Sequence, residues 1–449
     1  MSQHQNNLDL LNDLIAKARQ KGADAADAVL VQGVSLSLSQ RLGQPENLER
    51  AEGQDLGLRV FIGKRQAIVS SADFKADALD ELAQRCVDMA RVVPEDPFCG
   101  LADTDQLATE FPDVDGYDPY EPDEQTLISW ATAAEDAARA VEGVTNSEGA
   151  EASWSRNDVA IAASNGLAHA YSSSGCSLSA SVLAGTGTQM ERDYDYTSAV
   201  YAEDLEDFAL VGRRAGEKAV KRLNPRRVAS QQVPVVYSTR VSQSLLGHLN
   251  GAINGNSIAR GTSFLKDKMG QTIFNPDISI VDDPHRKRGL RSKPIDGEGL
   301  ANKKREIIKD GVLQSWILDL RSARQLGLES TAHAARGVGS PPSPSVTNFY
   351  MEAGKHSLEE LIGDIKQGFY VTELIGMGVN GVTGDYSRGA AGFWIENGEI
   401  AFPVSELTIA GNLKDMFLNL TPADDLEFRY GTNAPSLRIE GLTVAGSSA

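Results

Sequence analysis

The chain has 449 residues, of which 41% are hydrophobic, an ordinary fraction for a globular protein with a sizeable core. Its 62 acidic and 43 basic side chains give a formal net charge of −19, which argues against nucleic-acid and anionic-membrane partners. Three irregularly spaced cysteines, no signal-peptide pattern and no apolar run near the roughly 20 residues of a membrane span predict a cytoplasmic protein.

The N-terminal half shows the same succession of patterns twice: a helix with an apolar stripe, alternating segments typical of half-buried strands, and a second helix. The first copy predicts helices over 8–21 and 75–92 around strands over 28–40, 56–62 and 67–70. The second predicts helices over 124–141 and 204–223 around strand segments over 149–154, 158–163, 167–173 and 177–186. The segment between the copies, 94–123, is rich in Pro, Asp and Glu and predicts a surface connection.

Residues Asn224-Pro-Arg-Arg227 mark a change of pattern, and we predict an N-terminal domain over 1–226 and a C-terminal domain over 227–449. The C-terminal half predicts helices over 238–251 and 358–368, and strands over 233–237, 278–281, 306–309, 312–318, 391–396, 399–404 and 437–444. The predicted fold class is α+β. An N-terminal α/β domain of two similar helix–strands–helix units precedes a C-terminal domain dominated by a curved or barrel-like antiparallel sheet.

The histidines do not form a metal-binding pattern. Two histidines one helical turn apart, plus a third ligand, are typical of a peptidase zinc site, but no pair of the six lies three to five residues apart. A site built from distant residues, such as His248 with His333, stays open. Gly376–Gly381 has the G-x-G-x-x-G spacing, but no dinucleotide-binding helix follows it, so the pattern is weak.

Two stretches are dense in polar groups and glycine. Residues 244–257 predict a helix ending near His248 and then a Gly/Asn-rich loop, so His248 could cap carbonyls or bind a partner. Residues 384–399 carry Asp385, Tyr386 and Arg388 among four glycines. These side chains could hold a peptide or a partner chain, or Asp385 and Arg388 could simply pair and pin a loop. A basic cluster between 286 and 305 is interpreted as a solvated loop.

Together these stretches resemble the TldD/PmbA metallopeptidase family, and within it the TldE (PmbA) branch. The resemblance is dense over roughly 235–446 and weaker before it. The most specific run is Gly384-Asp-Tyr-Ser-Arg-Gly-Ala-Ala-Gly-Phe-Trp394. The other matching runs are 246–255, 308–313, 322–327, 371–374, 403–414 and 437–446.

The resemblance also implies which groups are missing. TldD-like chains carry HExxxH on a helix, with two zinc-binding histidines and a glutamate acid/base, and a cysteine near the C-terminus completes the site. Here His248 falls on the second histidine, Ser244 on the first and Leu245 on the glutamate, and no cysteine follows Cys176. These are vestigial positions on this interpretation. The chain then has no catalytic residue, binds no metal or cofactor, and pairs with a TldD-type subunit that holds the zinc.

In such a heterodimer this chain would help enclose the cleft and admit unfolded peptide, for proteolysis or peptide maturation. Arg260 and Thr262 lie in an RGTS run like one in TldD-like chains. With Asp385, Tyr386 and Arg388 they are our candidates for contacts to a peptide or the partner. An extended peptide often adds as a strand to a sheet edge. The chain alone could also form a homodimer.

Two other functions stay open. The chain could be an autonomous metallopeptidase with a non-standard site, for example His248 with Glu373 or Asp385. Zinc analysis of the isolated chain distinguishes this from the subunit hypothesis. It could instead be a non-enzymatic regulator of the gyrase-modulator type, as older descriptions of this family state. The net charge opposes direct DNA contact but not contact with another protein.

Overall fold

Two similar units build one six-stranded antiparallel sheet in the N-terminal half of the computed structural model, which describes residues 3–446. The first unit contains α1 (Gln3–Gln20), β1 (Ala25–Arg41), β2 (Gln44–Ile62), β3 (Arg65–Ser71) and α2 (Ala76–Val92). The second contains α3 (Glu124–Arg139), β4 (Val144–Ala163), β5 (Ala168–Ala184), β6 (Glu191–Ala199) and α4 (Phe208–Lys221). The strand order is β3-β2-β1-β4-β5-β6, so in each unit the first strand lies at the centre of the sheet and the third at its edge. This order confirms the two helix–strands–helix units.

The four helices cover one face of this sheet. Their apolar stripes meet the inward residues of the strands, because strand side chains alternate between faces. Cys86 of α2 is fully buried in the core of the first unit, as a core-filling thiol would be. In the second unit α3 and α4 approach closely, since a Cβ atom at Gly212 would lie only 1.9 Å from the Ala134 carbonyl oxygen.

The strands are longer than the sequence patterns predict. β4 runs unbroken through 149–163, and β5 unbroken through 168–184, because both pair continuously with their neighbours. The separate segments predicted there were wrong, and β6 was not predicted. β2 begins at Gln44 rather than Leu56, since its first twelve residues are exposed and carry no apolar alternation.

The C-terminal half contains more and shorter elements. Its helices are α5 (Thr239–Ile253), α6 (Gly255–Ala259), α7 (Leu320–Leu326), α8 (Leu358–Ile362) and α9 (Leu413–Leu418). Its first strands are β7 (Gln231–Tyr237), β8 (Ile280–Asp282), β9 (Arg305–Lys309), β10 (Val312–Leu313), β11 (Ala334–Ala335), β12 (Ser343–Pro344) and β13 (Phe349–Met351). The later ones are β14 (Gln367–Ile375), β15 (Asp385–Glu396), β16 (Glu399–Asn412), β17 (Leu420–Pro422), β18 (Thr432–Asn433) and β19 (Leu437–Ala445).

Five of these strands close a barrel. The order is β16-β15-β14-β7-β19, and β16 pairs with β15 on one side and with β19 on the other, so the sheet has no free edge there. The β15–β16 hairpin turns at Asn397-Gly398, between the strands predicted over 391–396 and 399–404. A second sheet has the order β10-β9-β8-β13-β18 and packs beside the barrel. The barrel confirms the predicted C-terminal sheet.

Two predicted elements of this half were too long. The helix predicted over 358–368 stops at Ile362, and β14 begins at Gln367 because Phe369 and Val371 point into the barrel core. The strand predicted over 312–318 stops at Leu313. Residues 316–318 are buried, and Ile317 forms an isolated bridge with Asn254 instead of continuing the strand. The domain boundary at 226/227 stays a prediction.

A buried ion cluster joins the two halves. Asp27 of β1 accepts hydrogen bonds from Arg59 of β2, with Nε 3.1 Å from Oδ2, and from Arg336, whose Nη2 lies 3.1 Å from Oδ1. All three side chains are almost completely buried. Burial would raise the pKa of Asp27, but the charges of the two arginines outweigh it and hold the pKa below its ordinary value. The cluster therefore fixes the C-terminal half against the face of the sheet that the helices leave open.

Part of the basic cluster near 286–305 is held by ion pairs and a ring contact. Arg288 lies 2.8 Å from both Asp115 and Glu203 and 3.0 Å from Asp204. The guanidinium of Arg286 stacks 3.5 Å from the centre of the Phe428 ring. The loop is thus held against the 113–118 segment. Among residues 3–446, no helix is long and apolar enough to cross a membrane.

Candidate functional site

Helix α5 brings the vestigial positions to the barrel. Its apolar stripe, Val241, Leu245, Leu249 and Ile253, is buried in the large core that also contains residues of β7 and β14. The four-residue spacing of this stripe places its side chains on one face of the helix, and the orientation of the other side chains follows from it. The residues on its flank, Ser244 and His248 among them, lie at the border between core and solvent.

The first two vestigial positions have no group free for chemistry. The Ser244 hydroxyl donates a hydrogen bond of 2.6 Å to the Val241 carbonyl oxygen of its own helix. Leu245, where the acid/base glutamate would stand, is only 1% exposed and belongs to the barrel core. A carboxylate there would be buried without a partner, which costs several kcal/mol.

His248 lies in an aromatic and cationic surrounding. Its ring meets the Tyr386 ring edge to face, with centroids 5.9 Å apart. Tyr386 is buried and accepts a 3.2 Å hydrogen bond from the Tyr237 hydroxyl. Within residues 3–446 the His248 Nε2 atom and the Arg388 Nε atom are buried without a hydrogen-bond partner. Burial, together with the positive charge of Arg388, lowers the pKa of His248 to about 4.

We expect His248 to titrate near pH 4, which NMR can follow through its ring protons. The Arg388→Gln variant removes the neighbouring charge, so the pKa of His248 should rise, while burial keeps it below 6.5. Arg260→Gln is the control, because Arg260 is exposed and should leave the titration of His248 unchanged. A wild-type pKa near 6.5, or no response to Arg388→Gln, would contradict this description.

These residues do not fit a zinc ion. A peptidase zinc site takes three protein ligands, and of the three vestigial positions only His248 offers one. Arg388, whose charge already opposes protonation of His248, would also repel a divalent cation. Over the described range 3–446, no group of three or more His, Cys, Asp or Glu side chains could hold a metal ion.

The five candidate contact residues divide into two groups. Tyr386 and Arg388 lie beside His248, whereas Arg260, Thr262 and Asp385 are exposed. Asp385 is separated from Tyr386 and Arg388 because it precedes Tyr386 on β15 and so faces the other side of the strand. The ion pair between Asp385 and Arg388, one of the two alternatives left open, is not formed. Asp385 accepts hydrogen bonds from Thr383 Oγ1 at 2.6 Å and Asn412 Nδ2 at 3.0 Å.

The exposed candidates border an apolar loop. The Phe264 backbone N–H, at the end of the RGTS run, donates a 3.0 Å hydrogen bond to the Gly381 carbonyl oxygen. Gly381 belongs to the 376–384 loop between β14 and β15. The G-x-G-x-x-G spacing of this loop is weak evidence for a nucleotide site because a strand, β15, follows it and not a helix. Met377 in this loop is 89% exposed, and Ile375 and Val382 are more than half exposed. Sequence patterns had not identified these three residues.

Sequence patterns also missed Tyr237, which contacts the site through Tyr386. Tyr237 ends β7 inside the barrel, and only the alternation of Val233, Val235 and Tyr237 could have indicated that it faces inward. His333 is separate from His248. It forms its own buried network, with Nε2 3.1 Å from Asp282 Oδ2 and Nδ1 2.8 Å from Thr331 Oγ1. The open site of His248 with His333 therefore receives no support.

Three family models match the chain in order along its length. They are described as PmbA/TldA metallopeptidase domain 1, central domain and C-terminal domain, and they match residues 26–90, 117–223 and 230–446. The repeated sheet and the barrel that carries α5 are thus those of a metallopeptidase-type protein, and the chain belongs to the PmbA/TldD family. Within that family it falls in the PmbA (TldE) branch.

Individual relatives agree with this. The metalloprotease PmbA of Escherichia coli O157:H7 is 38% identical over 426 residues, 94% of this chain and 93% of that protein. A Bacteroides thetaiotaomicron protein provisionally named a modulator of DNA gyrase has a crystal structure with a TM-score of 0.90 and 27% identity, covering 98% of this chain and 99% of that one. TldE from Thermococcus kodakarensis shares the fold, with a TM-score of 0.86, 20% identity and coverage of 97% and 100%.

Proposed function

We propose that this chain is the non-catalytic, TldE-type subunit of a zinc metallopeptidase and that a TldD-type subunit supplies the zinc and the activated water. The observation that carries the proposal is α5. At the three motif positions it presents a self-bonded hydroxyl, a core leucine and one neutral imidazole beside an arginine. Without a carboxylate beside a metal-bound water, this helix has no means of activating the water.

The surface around the 376–384 loop supports contact with another chain. Met377, Ile375 and Val382 are exposed apolar residues of this loop and its borders, and a contiguous exposed apolar patch is typical of an interaction site. The exposed candidates Arg260, Thr262 and Asp385 lie on the neighbouring segments and give this set a polar border. We assign the surface to the TldD-type subunit, with unfolded peptide entering the cleft that the two chains enclose.

The half-buried Arg388 fits the same function. Across residues 3–446 no carboxylate oxygen lies within 4.0 Å of its guanidinium, although arginines with buried atoms normally have a partner. A backbone carbonyl or carboxylate of a peptide, or of the partner subunit, could supply it. The three cysteines are unpaired and buried, which suits the reducing cytoplasm that we assign to the complex.

An autonomous site is less well supported. Glu373, one proposed companion of His248, instead lies 2.6 Å from Arg222 Nη1, and Asp385 is bonded to Thr383 and Asn412. Neither carboxylate is within 4.0 Å of the His248 ring. The regulator hypothesis comes from older descriptions of the family, and the name of the Bacteroides relative agrees with them. The assembly experiment below includes gyrase for that reason.

Native mass spectrometry after mixing tests the assembly. We expect a one-to-one complex with a TldD-type chain and none with DNA gyrase. Met377→Asp and Val382→Asp should weaken the complex about 10-fold or more, since each places a charge in an apolar contact. Val92→Asp is the matched control, because Val92 is 82% exposed on α2, far along the chain from the loop. Binding to gyrase alone, or equal complex formation by all variants, would refute the proposal.

A further inference from the structure

Two buried carboxyl groups, those of Asp296 and Glu298, lie where the two halves of the chain meet. Asp296 is 4% exposed and Glu298 is 8% exposed. The segment that carries them, residues 296–300, packs on the N-terminal half. The Gly299 carbonyl oxygen accepts a 2.9 Å hydrogen bond from the Ala108 backbone N–H, and a Cβ atom at Gly299 would lie 2.7 Å from the Leu167 side chain. Any change in the charge of these carboxyl groups therefore acts on the contact between the halves.

The two carboxyl groups receive unequal numbers of hydrogen bonds. Asp296 accepts three from backbone N–H groups, those of Glu298 and Leu300 at 2.9 Å and that of Ala334 at 3.2 Å. Glu298 accepts one from a backbone N–H, that of Leu320 at 2.9 Å. Hydrogen bonds from N–H donors stabilise the ionised form of a carboxyl group. Of the two, Asp296 is therefore the one that ionises first, and Glu298 is the one that keeps its proton.

The surroundings of Glu298 cannot easily hold a negative charge. The nearby guanidinium groups of Arg59 and Arg336 are already paired with Asp27. Glu298 shares with the Asp27–Arg59 pair a cavity of only about 10 Å³, which has room for at most one water molecule. Burial and the negative charge of Asp296 therefore raise the pKa of Glu298 well above its ordinary value, and the charge of Arg59 offsets only part of this effect.

The other charged groups around the pair keep the proton on Glu298. Asp319, at the start of α7, adds a negative charge that opposes ionisation of Glu298. Lys293 and His333 lie near Asp296 and favour the ionised form of that residue instead. The charged groups that face the pair, element by element, are Asp27 of β1, Arg59 of β2, Lys293 in the preceding loop, Asp319 before α7, His333 before β11 and Arg336 after it.

From these observations we propose that Glu298 is a proton-operated latch between the two halves of the chain. While the Glu298 carboxyl group holds its proton, the 296–300 segment stays docked on the N-terminal half. When the proton passes to water, a second negative charge remains beside Asp296 in a space that cannot hydrate it. The segment then moves outward to reach solvent, and the contact between the halves loosens. This latch needs neither zinc nor a second subunit, so it goes beyond the proposed function.

The Glu298→Gln variant removes the titration but keeps the hydrogen bond. Its amide oxygen can still accept from the Leu320 backbone N–H, and its NH2 group replaces the protonated oxygen. Because the pKa of Glu298 is raised in the folded chain, wild-type docking is complete below pH 4.5 and weakens as the pH rises through the folded value. Glu298→Gln should show no such weakening. Glu121→Gln is the control, since it changes an exposed carboxylate and should behave as the wild type does.

Hydrogen exchange of the full chain from about pH 5 to about pH 9 tests the latch, with rates corrected for the pH dependence of exchange in an unprotected amide. The Ala108 amide, bonded to Gly299, reports on the 296–300 segment. The Ser238 amide, 3.0 Å from the Val371 carbonyl oxygen, reports on the barrel. In the wild type we expect protection at Ala108 to fall about 10-fold or more over this range and to lie below protection at Ser238.

Three exchange results would each overturn the proposal. They are constant protection at Ala108 in the wild type, the same fall in Glu298→Gln, and equal protection at Ala108 and Ser238, which would mean that only global unfolding exposes Glu298. Infrared spectra of the wild type give a readout that does not depend on the folding of a variant. We expect a carboxylic-acid C=O band at about pH 6 that disappears by about pH 9, and a spectrum without this band at about pH 6 would also overturn the proposal.

Discussion

Replacing Asp27 with Ala should lower the free energy of unfolding by about 3–5 kcal/mol, because two buried guanidinium groups lose their common counter-ion. Arg59 and Arg336 are as deeply buried as Asp27 and reach it from the sheet and from the C-terminal half respectively. Neither can turn to solvent without opening the contact between the two halves. Urea unfolding at neutral pH measures the loss.

Two variants make this result specific. Glu121→Ala removes an exposed partner of Arg50, 3.0 Å away, and should cost less than about 1 kcal/mol. The triple variant Asp27→Leu, Arg59→Met, Arg336→Met replaces the whole cluster by apolar groups and should recover most of the stability lost in Asp27→Ala. An Asp27→Ala protein as stable as Glu121→Ala would show that the cluster does not join the halves.

Replacing Glu135 with Ala should cost a comparable amount, about 3–5 kcal/mol. This fully buried carboxylate on α3 accepts hydrogen bonds from the Leu42 and Gly43 backbone N–H groups at 2.6 and 2.9 Å, and from Gln40 Nε2 and Ser147 Oγ at 3.0 and 2.6 Å. It thus ties the β1–β2 turn of the first unit to the second unit. Alanine leaves all four donors without this acceptor, and two of them, the side chains of Gln40 and Ser147, are buried.

The pH dependence identifies the carboxylate as the cause. Burial alone would raise the pKa of Glu135, but the four hydrogen bonds outweigh it and lower the pKa below 4.5. A depressed folded-state pKa contributes stability that is present above pH 4.5 and disappears as the pH falls through the folded value. The stability gap between wild type and Glu135→Gln should therefore narrow below that pH. A gap that stays constant down to pH 2 would contradict this assignment.

Local patterns predicted the two helix–strands–helix units, because the apolar residues of each helical stripe and each alternating strand segment are the residues that become buried. The same rule explains the errors. The first twelve residues of β2 are held by pairing with β1, not by burial, so their sequence shows no alternation. The helix predicted over 358–368 failed because Gly363 ends it and the following apolar residues serve the barrel.

The candidate site was predictable only where a motif marks it. Leu245 and His248 could be placed from sequence because the surrounding run resembles a known helix. Tyr237 and Arg336 could not, since their partners lie more than 140 residues away along the chain.

The most direct test of the central claim is zinc content and peptide hydrolysis, measured on this chain alone, on a TldD-type chain alone, and on their mixture. The account predicts that this chain binds no stoichiometric zinc and cleaves no unfolded peptide by itself, whereas the mixture cleaves it and contains zinc on the TldD-type subunit. Stoichiometric zinc on this chain, or cleavage by it alone, would contradict the account and direct the search for a catalytic site back to His248.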